Sequence, residues 1–191
     1  MSSPDNGPHH RRSIRLPGWD YRTAAAYFVT ICTHQHQCLF FDDAWRAIAK
    51  AVWLDIPSHQ PRVVLDEWIV MPNHLHGILI LTDDRHAPVG PFNWHHLGAP
   101  PMTGPRTFAN APAGSLGAII RSYKAAVTHR INHQAHTVGC KRWQRGYYER
   151  IVRDDRELER IRLYIRQNPE RWAEDRDNLA PLLERMTYHN H

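Results

Sequence analysis

Long apolar runs are missing from this 191-residue chain, and none reaches the length of a membrane-spanning helix. The opening residues Met1-Ser2-Ser3-Pro4-Asp5-Asn6-Gly7-Pro8 carry no signal-peptide core. Cysteine is scarce: Cys32, Cys38 and Cys140 make an odd number with no tight spacing, which argues against a disulfide framework and for free thiols in a reducing compartment. The expectation is therefore a cytoplasmic protein with no membrane partner. Acidic residues are also in short supply, 19 against 24 Lys and Arg, and the net charge of +5 asks for a polyanionic partner such as nucleic acid. No internal repeat and no heptad array is present, so solenoids and coiled coils are set aside.

What is present divides the chain into an expected flexible basic arm (1–20, with Arg11, Arg12 and Arg15), a domain over 21–175, and a tail at 176–191. Within the domain, residues 83–114 interleave Pro88, Pro91, Pro100, Pro101, Pro105 and Pro112 with Gly90, Gly98 and Gly104, the composition of a long loop insertion. The run Ala26–Thr33 is aromatic and β-branched and reads as a buried strand. Asp42 or Asp43 caps a helix with Trp45, Ile48 and Val52 at helical spacing, ending near Pro57. Arg62 to Met71 and His74 to Thr82 read as two strands joined at Pro72-Asn73. Ser115 caps a helix carrying Leu116, Ile120, Tyr123, Val127 and Ile131 on one stripe. A short strand follows over Tyr147 to Arg153, and Asp154 with Glu157 starts a last helix that stops at Asn168-Pro169. The order β-α-β-β-α-β-α predicts an α+β protein, a ferredoxin-like βαββαβ antiparallel sheet with an added C-terminal helix, in which the first and third strands are central.

His74-Leu75-His76 heads the third strand. Side chains at i and i+2 of a strand share a face, so both rings can reach one divalent ion, and two nitrogens leave coordination positions open for a substrate oxygen. Cys32, His34, His36 and Cys38 also share strand parity, but an extended chain spreads them over roughly 20 Å, too far for one tetrahedral ion without a turn. Between residues 121 and 153 the basic side chains Arg121, Lys124, Arg130, Lys141, Arg142, Arg145, Arg150 and Arg153 face a single acid, Glu149. Trp143, Tyr147 and Tyr148 interleave with them as candidate stacking platforms, so phosphate contact with base stacking is the expected use of this stretch.

Met71-Pro72-Asn73-His74-Leu75-His76-Gly77-Ile78-Leu79-Ile80 closely resembles the signature of single-tyrosine HUH transposases, particularly the REP-associated tyrosine transposases (RayT group). Arg15-Leu16-Pro17-Gly18-Trp19-Asp20-Tyr21, Ser122-Tyr123-Lys124 through Arg130-Ile131-Asn132, Trp143 to Arg150, and Tyr164-Ile165-Arg166-Gln167-Asn168-Pro169 fit the same family, over roughly residues 12 to 172. The resemblance implies a transposase or endonuclease that cuts and rejoins single-stranded or hairpin, palindromic DNA through a 5'-phosphotyrosine intermediate. It implies Mg²⁺ or Mn²⁺ held by His74 and His76, and a protein that acts as a monomer or homodimer. Members carry the tyrosine on the helix after the histidine strand, with an amide one turn further as third ligand. On that basis Tyr123 is the first candidate nucleophile, Tyr148 the second, and Asn132 the candidate third donor, although Val127 stands one turn after Tyr123. Two rival readings remain: a non-catalytic DNA- or RNA-binding protein on the same scaffold, and a metal-dependent nuclease that activates water.

Overall fold

A computed structural model describes residues 18–83 and 111–172; most of the basic arm, most of the Pro/Gly-rich insertion and the tail lie outside the described residues. Four strands form one antiparallel sheet: β1 (Ala25–Cys32), β2 (Val63–Met71), β3 (His74–Leu81) and β4 (Tyr148–Ile151). Their order is β2-β3-β1-β4, so the first and third strands are central, as the ferredoxin-like pattern requires. The helices are α1 (Asp43–Leu54), the short α2 (Ile56–His59), α3 (Leu116–Gln134) and α4 (Asp155–Gln167).

The helix starts follow local chemistry. Asp42 accepts from Trp45 N, Ser115 from Ala118 N and Asp154 from Glu157 N, each side chain satisfying a backbone donor that the first turn leaves open. Glu157 departs from a simple capping box: its carboxylate binds the Arg150 guanidinium and the backbone N–H of Arg153, tying α4 to the end of β4.

Strand alternation splits the core in two. On one face Tyr27, Val29, Ile31, Leu75, Leu79 and Leu81 pack against α1 and α3. On the other, Ala26, Phe28, Ile78 and Ile80 pack against Leu158, Ile161, Tyr164 and Ile165 of α4. The added helix thus covers the face that the two earlier helices leave open, and β3 is buried along its whole length. At Gly77 helix and sheet approach closely, since a Cβ there would run into the ring of Trp53 on α1.

β2 carries an irregularity between Leu65 and Trp68, where the pairing steps from Leu79 to Gly77 with one extra residue on the β2 side. Such a bulge re-aims the side chains within it. Asp66 binds Arg162 of α4 (Oδ1 to Nε 2.8 Å), and Glu67 meets Arg166 at 3.2 Å. No helix among the described residues is long and apolar enough to cross a membrane.

Candidate active site

His74 and His76 point to the α4 face, both fully buried, with ring centroids 4.4 Å apart. The two-residue corner that delivers them is held from behind. Thr33 donates to Asn73 O through N and Oγ1 (2.9 and 2.8 Å), and Phe40 N donates to Pro72 O at 2.9 Å. His74 Nδ1 lies 2.7 Å from Asn73 Oδ1, an oxygen that can only accept, so Nδ1 carries the proton and Nε2 the lone pair. His76 Nδ1 lies 2.8 Å from Thr30 Oγ1, on the residue directly opposite in the β1–β3 register. Each ring therefore has its Nδ1 anchored by a side-chain oxygen and turns Nε2 inward, the arrangement that orients metal-binding imidazoles.

A tyrosine does meet the histidines, but it is Tyr164. Its hydroxyl sits 3.2 Å from His76 Nε2, with ring centroids 5.1 Å apart. Phe28 stacks on His76 at 5.6 Å, and Trp172, two turns after Tyr164, covers His74 at 5.9 Å. Asn168 falls between them at i+4 from Tyr164 and is buried at the C-cap of α4. In the sequence, Tyr164 and Asn168 stand out only as part of the family resemblance, with no role attached. The available signal is their spacing on the apolar stripe of α4, where a hydroxyl and an amide one turn apart replace aliphatic side chains.

Tyr123 is placed elsewhere. It lies on the opposite face of the sheet, enclosed by Trp53 and Trp143, and its hydroxyl donates to Ala49 O at 3.3 Å. Burial pushes that hydroxyl far above the ordinary tyrosine range. The helical stripe to which it belongs is the core stripe, so Tyr123 and the histidines are separated by the sheet itself. Asn132 is likewise not brought to the pair. Its amide donates to Cys140 O at 2.9 Å and accepts from Arg142 Nε at 2.6 Å, bracing the loop after α3. Tyr148 is on the histidine face, opposite Thr30 in register, with its ring edge-on to Phe28 at 6.2 Å. Burial raises the Tyr148 hydroxyl above its usual range, with Arg150 opposing.

The basic stretch divides into two groups. Lys124 Nζ donates to Gln144 O at 3.0 Å and to Gly146 O, and burial pulls its pKa down to about 8 against an opposing contribution from Cys32. Arg142 is buried over the Trp45 ring and bonded to Asn132 and Thr137, Arg150 pairs with Glu157, and Trp143 is a core residue against Phe40 and Tyr123. These four hold the fold together, which corrects Trp143 as a stacking platform: its ring faces inward. Arg121, Arg130, Lys141, Arg145 and Arg153 remain exposed. His34 and His36 fall in an exposed turn, and no three His, Cys, Asp or Glu side chains cluster as a metal site among the described residues.

No family model matches the sequence. An uncharacterised protein of Haemophilus influenzae (strain ATCC 51907 / DSM 11121 / KW20 / Rd) is 36% identical over 181 residues, which cover 88% of this chain and 93% of its own length. The chain belongs to that protein's family. The relationship spans nearly the whole of both proteins, so the family shares the full domain and not one segment of it. Among solved structures, a REP-associated tyrosine transposase bound to a REP hairpin superposes with a TM-score of 0.54 at 15% identity, over 83% of this chain and 73% of that one. At that identity the likeness establishes a common α+β fold.

With no third imidazole, thiolate or carboxylate at hand among the described residues, a divalent ion between His74 and His76 in this family member would need a neutral oxygen as its next donor. Two imidazoles with anchored Nδ1 atoms fit a divalent ion and leave positions for oxygen donors, and the Asn168 carboxamide, buried at the end of α4, is a donor of that kind.

Proposed function

We propose that the protein is a metal-dependent enzyme that cuts and rejoins single-stranded or hairpin DNA, with Tyr164 as the nucleophile and His74, His76 and Asn168 as the residues that would hold Mg²⁺ or Mn²⁺. The observation that carries this reading is the Tyr164 hydroxyl at 3.2 Å from His76 Nε2, a hydroxyl and an anchored histidine pair in one buried site. Tyr164 replaces Tyr123 as the candidate because the nucleophile must share a face with the histidines.

Bound there, the ion would polarise a non-bridging phosphate oxygen. Tyr164 Oη loses its proton and forms a bond to phosphorus, the bond from phosphorus to the 3'-oxygen breaks, and that oxygen takes up a proton and leaves as a 3'-hydroxyl, so one proton passes in net from tyrosine to leaving group and the strand is held as a 5'-phosphotyrosine. Attack by a second 3'-hydroxyl reverses the step and releases the tyrosine. The phosphodiester is exchanged and not hydrolysed, which makes an external energy source unnecessary. α4 supplies the geometry: its docking on the sheet brings Oη to the histidines, and Trp172 and Phe28 wall the rings from water. The REP hairpin on the structurally similar transposase supports a hairpin DNA as partner, and the exposed Arg121, Arg130, Lys141, Arg145 and Arg153 are the residues that would meet its phosphates.

The test is a labelled hairpin oligonucleotide incubated with protein and Mn²⁺, then resolved under denaturing conditions. Wild type should form a covalent protein–DNA adduct and Tyr164→Phe should form none while keeping hairpin affinity. Free cut ends without an adduct would favour water as nucleophile, and retarded but intact DNA would favour a binding protein. An adduct of undiminished yield with Tyr164→Phe would move the role to Tyr148, the other tyrosine on this face.

A further inference from the structure

His76 is held at both ends by hydroxyls. Thr30 Oγ1 is 2.8 Å from Nδ1 and Tyr164 Oη is 3.2 Å from Nε2. A neutral imidazole has one N–H and one lone pair, so one hydroxyl accepts from the ring and the other donates to it. The two hydroxyls are not equivalent. A phenol, with a pKa near 10, is a far better donor and a poorer acceptor than an alkyl hydroxyl. The pairing that uses each at its strength has His76 Nδ1–H donating to Thr30 and Tyr164 O–H donating to Nε2. Thr30 is well placed to accept: it is 2% exposed, opposite His76 across the central strand pair, and its β-branched side chain is stiff at χ1.

That pairing has a consequence for any ion. The single lone pair of His76 is on Nε2, and the Tyr164 hydroxyl already rests on it. We propose that Thr30 is a positioning residue that commits His76 to the Nδ1–H tautomer, and that the Tyr164 hydroxyl and the divalent ion compete for Nε2, so that ion binding is what frees the hydroxyl. This rests on the metal and tyrosine roles proposed above. Without an ion the hydroxyl is tethered with its proton pointed at the ring. With Nε2 taken, the hydrogen bond is broken and Oη is released beside the site where a phosphate would lie. The device prevents the tyrosine from being presented to DNA before the ion arrives.

The experiment reads the ion and the ring directly, without DNA. Mn²⁺ binding is titrated by electron paramagnetic resonance for wild type, Tyr164→Phe, Thr30→Val and Thr30→Ser, and the His76 tautomer is read from ¹⁵N-histidine NMR of the metal-free protein. Losing one competing hydrogen bond should tighten Mn²⁺ binding by Tyr164→Phe about threefold to tenfold. Thr30→Val, which keeps shape and loses the hydroxyl, should weaken it about tenfold to a hundredfold, and Thr30→Ser should recover most of the loss. The ¹⁵N spectrum should show protonated Nδ1 and bare Nε2 in wild type, and chiefly protonated Nε2 in Thr30→Val. Equal Mn²⁺ affinity for wild type and Tyr164→Phe overturns the competition, and a Thr30→Val protein matching wild type overturns the positioning role. Absence of Mn²⁺ binding by every form, with the tautomer as stated, would instead sink the metal reading on which the proposal stands.

Discussion

Tyr123 and Tyr164 carry the same chemistry and differ only in which side of a sheet they occupy. Tyr123 gives its hydroxyl to Ala49 O and its ring to the α1 and α3 core, whereas the Tyr164 hydroxyl is paired with a histidine. Removing the Tyr123 hydroxyl should therefore leave catalysis alone. For Tyr123→Phe we expect an adduct yield equal to wild type and a stability loss of about 1 kcal/mol or less, the worth of one long hydrogen bond. A denaturant melt together with the hairpin assay checks both halves. Loss of the adduct by a stably folded Tyr123→Phe protein would put the nucleophile back on α3. The histidine pair was legible from the chain because i, i+2 spacing on a strand states which side chains share a face. The contact of Tyr164 with that pair was not, because a buried tyrosine on a helical stripe looks the same whether its neighbour is a tryptophan or an imidazole.

At the scale of elements, α4 positions Tyr164, and something must hold α4. Its apolar stripe supplies the contact area, and the β2 bulge supplies the register through Asp66 and Glu67 on Arg162 and Arg166. Burial alone would raise the Asp66 carboxyl. The Arg162 hydrogen bond, the Glu67 backbone N–H and the charges of Arg162 and Arg166 outweigh it, holding the group below its usual value. A depressed carboxylate contributes stability that is present above its unfolded pKa and is lost as pH falls through the folded value. Asp66→Asn should thus destabilise the protein by about 1–2 kcal/mol at neutral pH, and the gap to wild type should close on acidification below about pH 4. Thermal melts of both proteins across that range test the clamp; a gap that stays constant to low pH would mean the pair contributes shape and not charge. Caps at Asp42, Ser115 and Asp154 were readable because each is a local contract between one side chain and the next turn. The bulge was not, since an extra residue in a strand shows only against the register of its partner.

For the whole molecule, the succession of strands and helices was enough to order the sheet, since a split βαβ arrangement leaves few ways to pair four antiparallel strands. Which face each helix covers was out of reach, and so was the sorting of the basic residues, because an arginine reads alike in sequence whether it faces solvent or a carbonyl. The positive surplus of +5 therefore does not say how many cations DNA would meet. Exposed Arg145 and buried Arg142, three residues apart, separate the two uses. Arg145→Ala removes a solvated charge, so hairpin affinity should fall and the slope of log affinity against log salt should shrink by about one, with the melting temperature unchanged. Arg142→Ala removes the bonds to Asn132 and Thr137 and the stack on Trp45, so it should cost about 1–3 kcal/mol of stability first. Measured under conditions where both variants remain folded, the salt slope should change for Arg145→Ala and hold for Arg142→Ala. The reverse pattern would mean that the phosphate path runs along the braced loop after α3 and not over the exposed side chains.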